Sequence, residues 1–174
     1  MNIFVLDLDP VKAAQAMDCV RVPKMVTESA QMMASALRRH GATDEQMPLT
    51  KKGTPYKGGY HHHPCTVWAG DSVANFAWLA HHATALCNEY AKRFGKNHAC
   101  ERPIHSMIGL VALFPDKFPS PKAALTPFAQ AMPDEYKDDD PVVAYRAYYK
   151  SKVNSPGGVH YRHTSPPDWW EVTA

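Results

Sequence analysis

Apolar residues recur every three or four positions in two long stretches of the chain, and this spacing constrains the fold more than any other feature. The first stretch runs from Pro23 to His40 and ends in Arg, Arg and His before a glycine, which is typical of a helix end. The second runs from Asp71 to Phe94 and stops at Gly95. Each stretch predicts an amphipathic helix with one buried face, and the longer one is expected to be central.

Prolines mark most of the other boundaries, and the chain has 15 of them in 174 residues. Asp9-Pro10 and Asp140-Pro141 each combine a capping residue with a proline at the first helical position, so each predicts the start of a short helix. The second of these helices is expected from Val142 to Lys152. A further helix is predicted from Pro103 to Phe114, and its apolar second half is typical of a helix buried between others.

Three segments carry no helical repeat. The segment from Asn2 to Leu8 is apolar with partial alternation, which predicts one short N-terminal strand or an extended arm. Residues 41–64 are rich in glycine, proline, lysine and histidine and predict a long, exposed, basic loop, whereas residues 154–174 predict an irregular C-terminal tail. No repeat or second domain is visible, so we expect one mostly α-helical domain over residues 1–174, with long loops.

The charge balance and the cysteines limit the partners and the compartment. Nineteen Lys and Arg against 17 Asp and Glu give a formal net charge of +2, so any nucleic-acid surface has to be a local patch. The longest strongly apolar run, Met107 to Phe114, is far shorter than the ~20 residues that cross a bilayer, and we expect neither a membrane span nor a signal peptide. Four widely spaced cysteines without a C-x-x-C pair favour reduced thiols and a cytoplasmic protein.

A first candidate site lies at the start of the helix predicted from Pro23. Arg21, Lys24 and Glu28 are spaced by three and four residues, which places their side chains on one helix face. A carboxylate between two cations can hold a charged intermediate or move a proton at a bound base. The spacing alone favours a simpler interpretation, a solvent-exposed ion pair.

A second candidate site is the basic loop. Three consecutive histidines on an extended chain point in alternating directions and seldom bind one ion, so we expect no metal site. With Tyr56 and Tyr60 nearby, phosphate contacts combined with ring stacking are the better functional interpretation, and a mobile polar loop is an equal alternative. The candidate DNA contacts in the loop are Lys51, Lys52, Lys57, His61, His62 and His63.

A third candidate site combines aromatic and basic side chains on the helix that starts at Pro141 and in the tail. Such a mixture suits contacts to the DNA backbone and stacking on an unpaired or flipped base. The alternative, slightly favoured on its own, is that the tyrosines pack into the core and the cations only line its edge. The candidate DNA contacts here are Arg146, Tyr149, Lys150, Lys152 and Arg162.

Six blocks in chain order resemble a family of small proteins that is widespread in phages and is described as pyrimidine-dimer DNA glycosylase-like, or endonuclease V-like. The blocks are MNIFVLDLDP (1–10), KMVTESAQMM (24–33), HPCTVWA (63–69), LCNEYAKRFGKNH (86–98), LTPFAQAMPDEYK (125–137) and DPVVAYRAYYK (140–150). For a divergent member, the resemblance implies a helical enzyme of the host cytoplasm. Its implied activity is that of a DNA N-glycosylase and abasic-site lyase on a flipped, thymine-derived base, in DNA repair or DNA modification and without a cofactor.

The resemblance also implies roles at matching positions. Glu28 lies where the family has its helical glutamate, which stabilises the sugar cation and assists the lyase step. The family's nucleophile is a terminal amine exposed by removal of the initiator methionine. Because Asn2 is too large for efficient removal, the implied nucleophile is the α-amine of Met1. Relatives carry Asp-x-His where this chain has Cys19-Val20-Arg21, and an arginine there suits a phosphate or carboxylate that Lys24 would help to hold.

Two other functions stay open. A protein that flips a thymine-type base could transfer an amino acid onto phosphorylated 5-hydroxymethyluracil in phage DNA, giving hypermodified thymidine with the sugar bond intact. Arg21 and Lys24 would then hold the leaving phosphate, Glu28 would take a proton from the incoming amine, and a free amino acid would be the co-substrate. The second alternative is a non-catalytic DNA-binding accessory protein, which has no reason to retain Glu28.

Overall fold

Aspartate, histidine and serine caps begin several of the helices in the computed structural model, which describes residues 1–114, 118 and 124–171. Asp9 accepts hydrogen bonds from the first N–H groups of helix α1 (Pro10–Gln15), and Asp140 does the same for α6 (Pro141–Lys150). Both helices carry proline at their first turn, so the predicted helix starts are confirmed. In α6 the helical path continues as a 3₁₀ turn over Ser151–Asn154.

Two long helices form the centre of the structure; both were predicted as helices, and the longer one was predicted to be central. Helix α2 (Arg21–Arg39) packs against α4 (Val73–Phe94), which ends at Gly95 in the left-handed conformation that the sequence indicates. Helix α1 packs on α4, and α5 (Glu101–Leu110) packs on both long helices. The described residues are therefore mostly helical, and the apolar faces of α2 and α4 supply much of the core.

Helix α3 (Pro64–Asp71) was not predicted. It follows the loop directly, with His63 as its N-cap, and packs against α2 and α4. The apolar residues of α3 do not lie on one helix face at three- and four-residue spacing, because the helix is buried on several sides and has only eight residues. The periodicity that reveals α2 and α4 is therefore absent from this segment.

The predicted N-terminal strand is wrong; the alternative of an extended arm is correct. Within the described residues the only ladder-like pairing is an isolated bridge between Leu49 and Pro55. Residues 2–6 are buried, and the Asn2 side chain accepts hydrogen bonds from the N–H groups of Ile3 (2.8 Å) and Phe4 (3.1 Å). The Asn2 side chain thus satisfies two backbone N–H groups that a neighbouring strand would otherwise bond.

The helix predicted over Pro103 to Phe114 ends earlier and is less enclosed than its sequence indicates. Helix α5 stops at Leu110 and is followed by a 3₁₀ turn over Val111–Leu113. Gly109 and Leu113 are exposed, so the apolar second half lies at the surface on one side. An apolar run does not by itself establish burial, since much of the surface of any folded protein is apolar.

The buried side chain of His82 should make the stability of the fold depend on pH. The imidazole lies wholly inside the protein, donates from Nδ1 to the carbonyl of Pro10 (2.9 Å) and stacks on Trp78. Burial lowers the pKa of His82 from 6.5 to about 4. Between pH 6.5 and about 4, His82 is therefore protonated in the unfolded chain but neutral in the folded chain. The free energy of unfolding consequently falls as the pH decreases from about 6.5 towards 4.

We expect this residue to remove up to about 3 kcal/mol of stability by pH 4. Urea unfolding between pH 4 and 7 measures the effect, and His82→Gln should flatten the profile over that interval. His81→Gln is the matched control, because His81 is the exposed neighbour on the same helix. Equal pH profiles for His82→Gln and the unmodified protein would contradict the assignment.

Candidate functional site

The N-terminal arm brings the α-amine of Met1 onto the face of α2 that carries Glu28. The amine nitrogen lies 3.6 Å from Glu28 Oε2, and Lys24 Nζ lies 3.5 Å from Glu28 Oε1. Glu28 is only 9% exposed, whereas the Lys24 side chain is 69% exposed. The carboxylate thus lies between an enclosed amine and a solvent-facing one, which is not the arrangement of an ordinary surface ion pair.

The position of the amine is set by contacts along the arm. Asn2 Nδ2 donates to the carbonyl of Ala131 (3.0 Å), in addition to the bonds that its oxygen accepts. Phe4 adopts a left-handed backbone conformation, and its ring packs against Tyr145, Tyr148 and Tyr149. These contacts hold the arm between the core and α6, so Met1 reaches Glu28 from a defined direction.

A cavity of about 400 Å³ opens beside the Met1–Glu28 pair. We call it the Glu28 cavity; its wall includes Met1, Phe4, Arg21, Lys24, Glu28 and Lys152. The ammonium of Lys152 lies 3.6 Å from the centre of the Tyr148 ring, which also lines the cavity. The volume is in the range of ordinary small-molecule sites, and the cations at its wall favour a negatively charged ligand.

A second cavity, of about 320 Å³, shares Met1, Lys24 and Glu28 with the first. We call it the Tyr60 cavity, because Tyr60 contributes to its wall together with Thr27 and Gln31 of α2. Space is therefore available next to the amine and the carboxylate in two adjoining cavities.

Arg21 lines the Glu28 cavity, but three of the five N–H groups of its guanidinium are already bonded within the protein. Nη1 donates to Asp18 Oδ2 (2.9 Å) and to the carbonyl of Gly158 (2.9 Å), and Nη2 lies 3.4 Å from the carbonyl of Lys152. The guanidinium is also 5.4 Å from the centre of the Tyr149 ring. Arg21 thus ties the start of α2 to the C-terminal segment, and this geometry does not favour its predicted role as an anion holder.

Asp18 is a residue of the site that the sequence reasoning missed. It is fully buried and accepts hydrogen bonds from Arg21, from the Tyr149 hydroxyl and from the N–H of Val20. Burial, followed by the charge of Asp18, holds the pKa of Tyr149 well above its usual value. The available signal was the three-residue spacing of Asp18 and Arg21, which places an acid and a base one helical turn apart.

Tyr149 does not lie on a surface that DNA could contact, which corrects its prediction as a DNA-binding residue. Its side chain is fully buried, as is that of Tyr145. The alternative interpretation, in which the tyrosines of this helix pack into the core, is therefore correct for these two. Tyr148 is partly exposed and stays at the cavity wall.

The predicted basic contacts divide between the site and more distant surfaces. Arg146 donates from Nε to the carbonyl of Leu6 (2.9 Å), lies over the ring of Trp169 and lines another cavity of about 570 Å³. Lys150 is partly exposed and Arg162 is exposed in the tail. Of the cations predicted in this part of the chain, Lys152 is the one that lines the Glu28 cavity.

The loop histidines and lysines mostly face solvent. Lys57 forms an ion pair with Asp44 (2.7 Å), and the other exposed members are Lys51, Lys52, His61 and His62. His63 is partly buried and accepts the N–H of Cys65 at Nδ1; its pKa is lowered by burial and then by the nearby N-terminal charge. The described part of the chain shows no group of three His, Cys, Asp or Glu side chains placed to hold a metal ion.

Chemically, the Met1–Glu28 pair combines a nucleophile with a base. A carboxylate at 3.6 Å can take a proton from the ammonium and leave a free amine with an unshared electron pair. The same carboxylate, once protonated, can return that proton to a leaving group. An amine of this kind reacts with an electrophilic carbon such as the anomeric carbon of a sugar or an aldehyde.

Comparison with known proteins identifies a family for this chain. None of the described helices is both long enough and apolar enough to cross a membrane. No curated protein and no solved structure matches the chain. The model of the family described as pyrimidine dimer DNA glycosylase matches residues 1–102, which include the arm, α1 to α4 and every member of the Met1, Lys24 and Glu28 cluster. Since the match covers more than half of the chain, the protein belongs to the pyrimidine dimer DNA glycosylase family, as the sequence resemblance predicts.

Proposed function

We propose that this protein is a DNA N-glycosylase and abasic-site lyase that acts on a thymine-derived base in duplex DNA. The observation that carries the proposal is the α-amine of Met1, held 3.6 Å from the carboxylate of Glu28 at the wall of a cavity. Family membership implies DNA as the substrate. Because the pair is recessed, the target nucleotide has to leave the base stack before its sugar can reach the amine.

The first stage replaces the base by the protein. Glu28 takes a proton from the Met1 ammonium, and the free amine attacks the C1′ carbon of the deoxyribose. The bond between C1′ and the base breaks, and the base leaves with the electron pair and takes up the second proton that the nitrogen releases. The bond between C1′ and the ring oxygen then opens, that oxygen receives the proton that Glu28 first took from the nitrogen, and a protonated imine joins C1′ to Met1.

The second stage cuts the strand. Glu28, again ionised, removes a proton from C2′, and the electron pair moves to break the bond between C3′ and its phosphate oxygen. The imine activates this elimination, because it withdraws electrons from C2′. Hydrolysis of the imine then releases the sugar fragment and restores the amine.

DNA binding is assigned to exposed cations around the cavities. Lys24 and Lys152 stand at the wall of the Glu28 cavity, and Lys51 and Lys52 of the loop are exposed and available for further phosphate contacts. The tail and the turn after α6 also contribute, since Ser155 and Pro156 line the Glu28 cavity. We therefore propose that residues 1–174 act as one DNA-acting domain, although the family match ends at residue 102.

The amino-acid transfer alternative receives less support from the geometry. It requires Arg21 and Lys24 to hold a leaving phosphate, and three of the five N–H groups of the Arg21 guanidinium are bonded to Asp18 and to backbone carbonyls. The Lys24 side chain is 69% exposed, but its ammonium is paired with Glu28. Amino-acid transfer and DNA binding without catalysis are therefore the two alternative results of the experiment with three DNA duplexes.

Glu28→Gln should reduce turnover by about 100-fold or more, since general acid–base groups contribute at least that factor in many enzymes. Its affinity for DNA should change less than about twofold, because the substitution keeps the shape of the side chain. Single-turnover strand cleavage and fluorescence anisotropy measure the two quantities. Glu45→Gln, in the exposed part of the loop, is the matched control. Turnover that survives in Glu28→Gln would show that this residue is not the acid–base group.

The α-amine of Met1 should be the atom that becomes attached to the sugar. Borohydride reduction in the presence of an abasic duplex should trap the protein, and mass analysis should place the added mass on the Met1 peptide. One extra residue in front of Met1 should reduce trapping by more than about 100-fold, because the new amine no longer meets Glu28. Lys24→Gln is the control and should still be trapped; added mass on the Lys24 peptide of the unmodified protein would contradict the assignment.

Three duplexes should separate the proposed function from its alternatives. We expect strand breaks and trapped protein with a thymine dimer and with an abasic site, and no reaction with phosphorylated 5-hydroxymethyluracil supplied with free amino acids. A heavier base in an intact strand of the third duplex would instead make the protein a base-modifying transferase. Binding to all three without any chemical change would make it an accessory protein.

A further inference from the structure

Tyr60 projects from the basic loop next to the Met1–Glu28 pair. Its side chain is 68% exposed, and it lines the Tyr60 cavity together with Met1, Lys24 and Glu28. The ring therefore stands at the edge of the space that the proposed nucleophile faces. Few large apolar side chains of the described residues are as exposed as this one.

The loop is fixed to α2 directly before Tyr60. The hydroxyl of Ser35 accepts the N–H of Gly59 (2.9 Å) and donates to the carbonyl of the same residue (3.0 Å). Gly58 approaches α2 so closely that a Cβ at this position would lie 2.3 Å from Ser35 Oγ, and its φ of +78° also requires glycine. The backbone is thus clamped on the helix that carries Glu28.

The chain is also fixed directly after Tyr60. The N–H of His63 donates to the carbonyl of Tyr60 (2.9 Å), and this turn leads into α3. His63 is the N-cap of that helix, so residues 60–63 connect two anchored elements. The direction of the Tyr60 side chain follows from these anchors on both sides.

Tyr60 has a φ of +52°, a left-handed conformation that bulky residues rarely adopt. Such conformations persist where the surrounding structure imposes them, and they concentrate at functional sites. Tyr56 of the same loop packs inward and donates its hydroxyl to Cys100 Sγ (3.6 Å). In the described part of the chain, by contrast, the Tyr60 side chain has neither a hydrogen bond nor a ring contact, so packing does not explain its position.

We propose that the ring of Tyr60 stacks on an unpaired nucleobase adjacent to the nucleotide whose sugar reaches Met1. The inference rests on the proposed function and names one contact of the same site. Every base offers a flat π face to an exposed aromatic ring, and stacking of this kind does not depend on base sequence. Tyr60 is a positioning residue: it holds the opened strand while Met1 and Glu28 act on the sugar.

The test uses duplexes that carry 2-aminopurine beside an abasic site, on its 5′ side in one duplex and on its 3′ side in another. Stacking on Tyr60 should quench the fluorescence of the probe in one of the two duplexes when the protein binds. Tyr60→Ala should remove this quenching and weaken binding by about 5- to 150-fold, the range that corresponds to one stacked base. Tyr60→Phe keeps the ring and should retain both properties.

Leu49→Ala is the matched control, because Leu49 is a similarly exposed apolar residue (59%) of the same loop and does not line the Tyr60 cavity. It should behave like the unmodified protein. Equal quenching in Tyr60→Ala and the unmodified protein overturns the stacking contact, whether or not borohydride traps the protein. Failure of the unmodified protein to be trapped on the abasic duplex overturns the proposed function instead, so the two failures are distinguishable.

Discussion

The burial of the N-terminal arm is the constraint on which the site depends. Ile3, Val5 and Leu6 are fully buried, so the arm is part of the core and cannot move freely. Burial of extended backbone leaves N–H groups that need partners, and the Asn2 side chain satisfies two of them. The α-amine of Met1 consequently meets Glu28 at a fixed place. Asn2 therefore has a structural role at the second position.

The buried Asp18, Arg21 and Tyr149 form the second structural element of the site. The opposite charges of Asp18 and Arg21 compensate each other, and the Tyr149 hydroxyl and a backbone carbonyl bond to them, which is the condition under which buried ions are tolerated. The cluster joins the start of α2, helix α6 and the C-terminal segment, which come from distant parts of the sequence. It therefore closes one wall of the Glu28 cavity, and an arginine at position 21 acts as part of the scaffold.

The segment that the family model matches and the rest of the chain contribute different parts of the candidate site. Residues 1–102 contain Met1 and Glu28, the pair that we propose to react with the substrate. Helix α6 and the turn that follows it supply Tyr148, Lys152 and Ser155 to the cavity wall. The amine and the carboxylate thus come from the family core, whereas part of the surface that would contact the substrate comes from the segment that the family model does not match.

The sequence by itself determined the features that depend on near neighbours. Helices α2 and α4 follow from apolar periodicity, the starts of α1 and α6 follow from Asp-Pro caps, and the shared face of Lys24 and Glu28 follows from helical spacing. Tertiary structure alone decided that the arm forms no strand, that α3 is helical, that Tyr149 is buried and that Arg21 bonds to Asp18 and to backbone carbonyls. These outcomes depend on contacts between residues far apart in the chain, for which local spacing carries no information. The meeting of Met1 with Glu28, implied by family resemblance, is likewise a long-range contact that the buried arm creates.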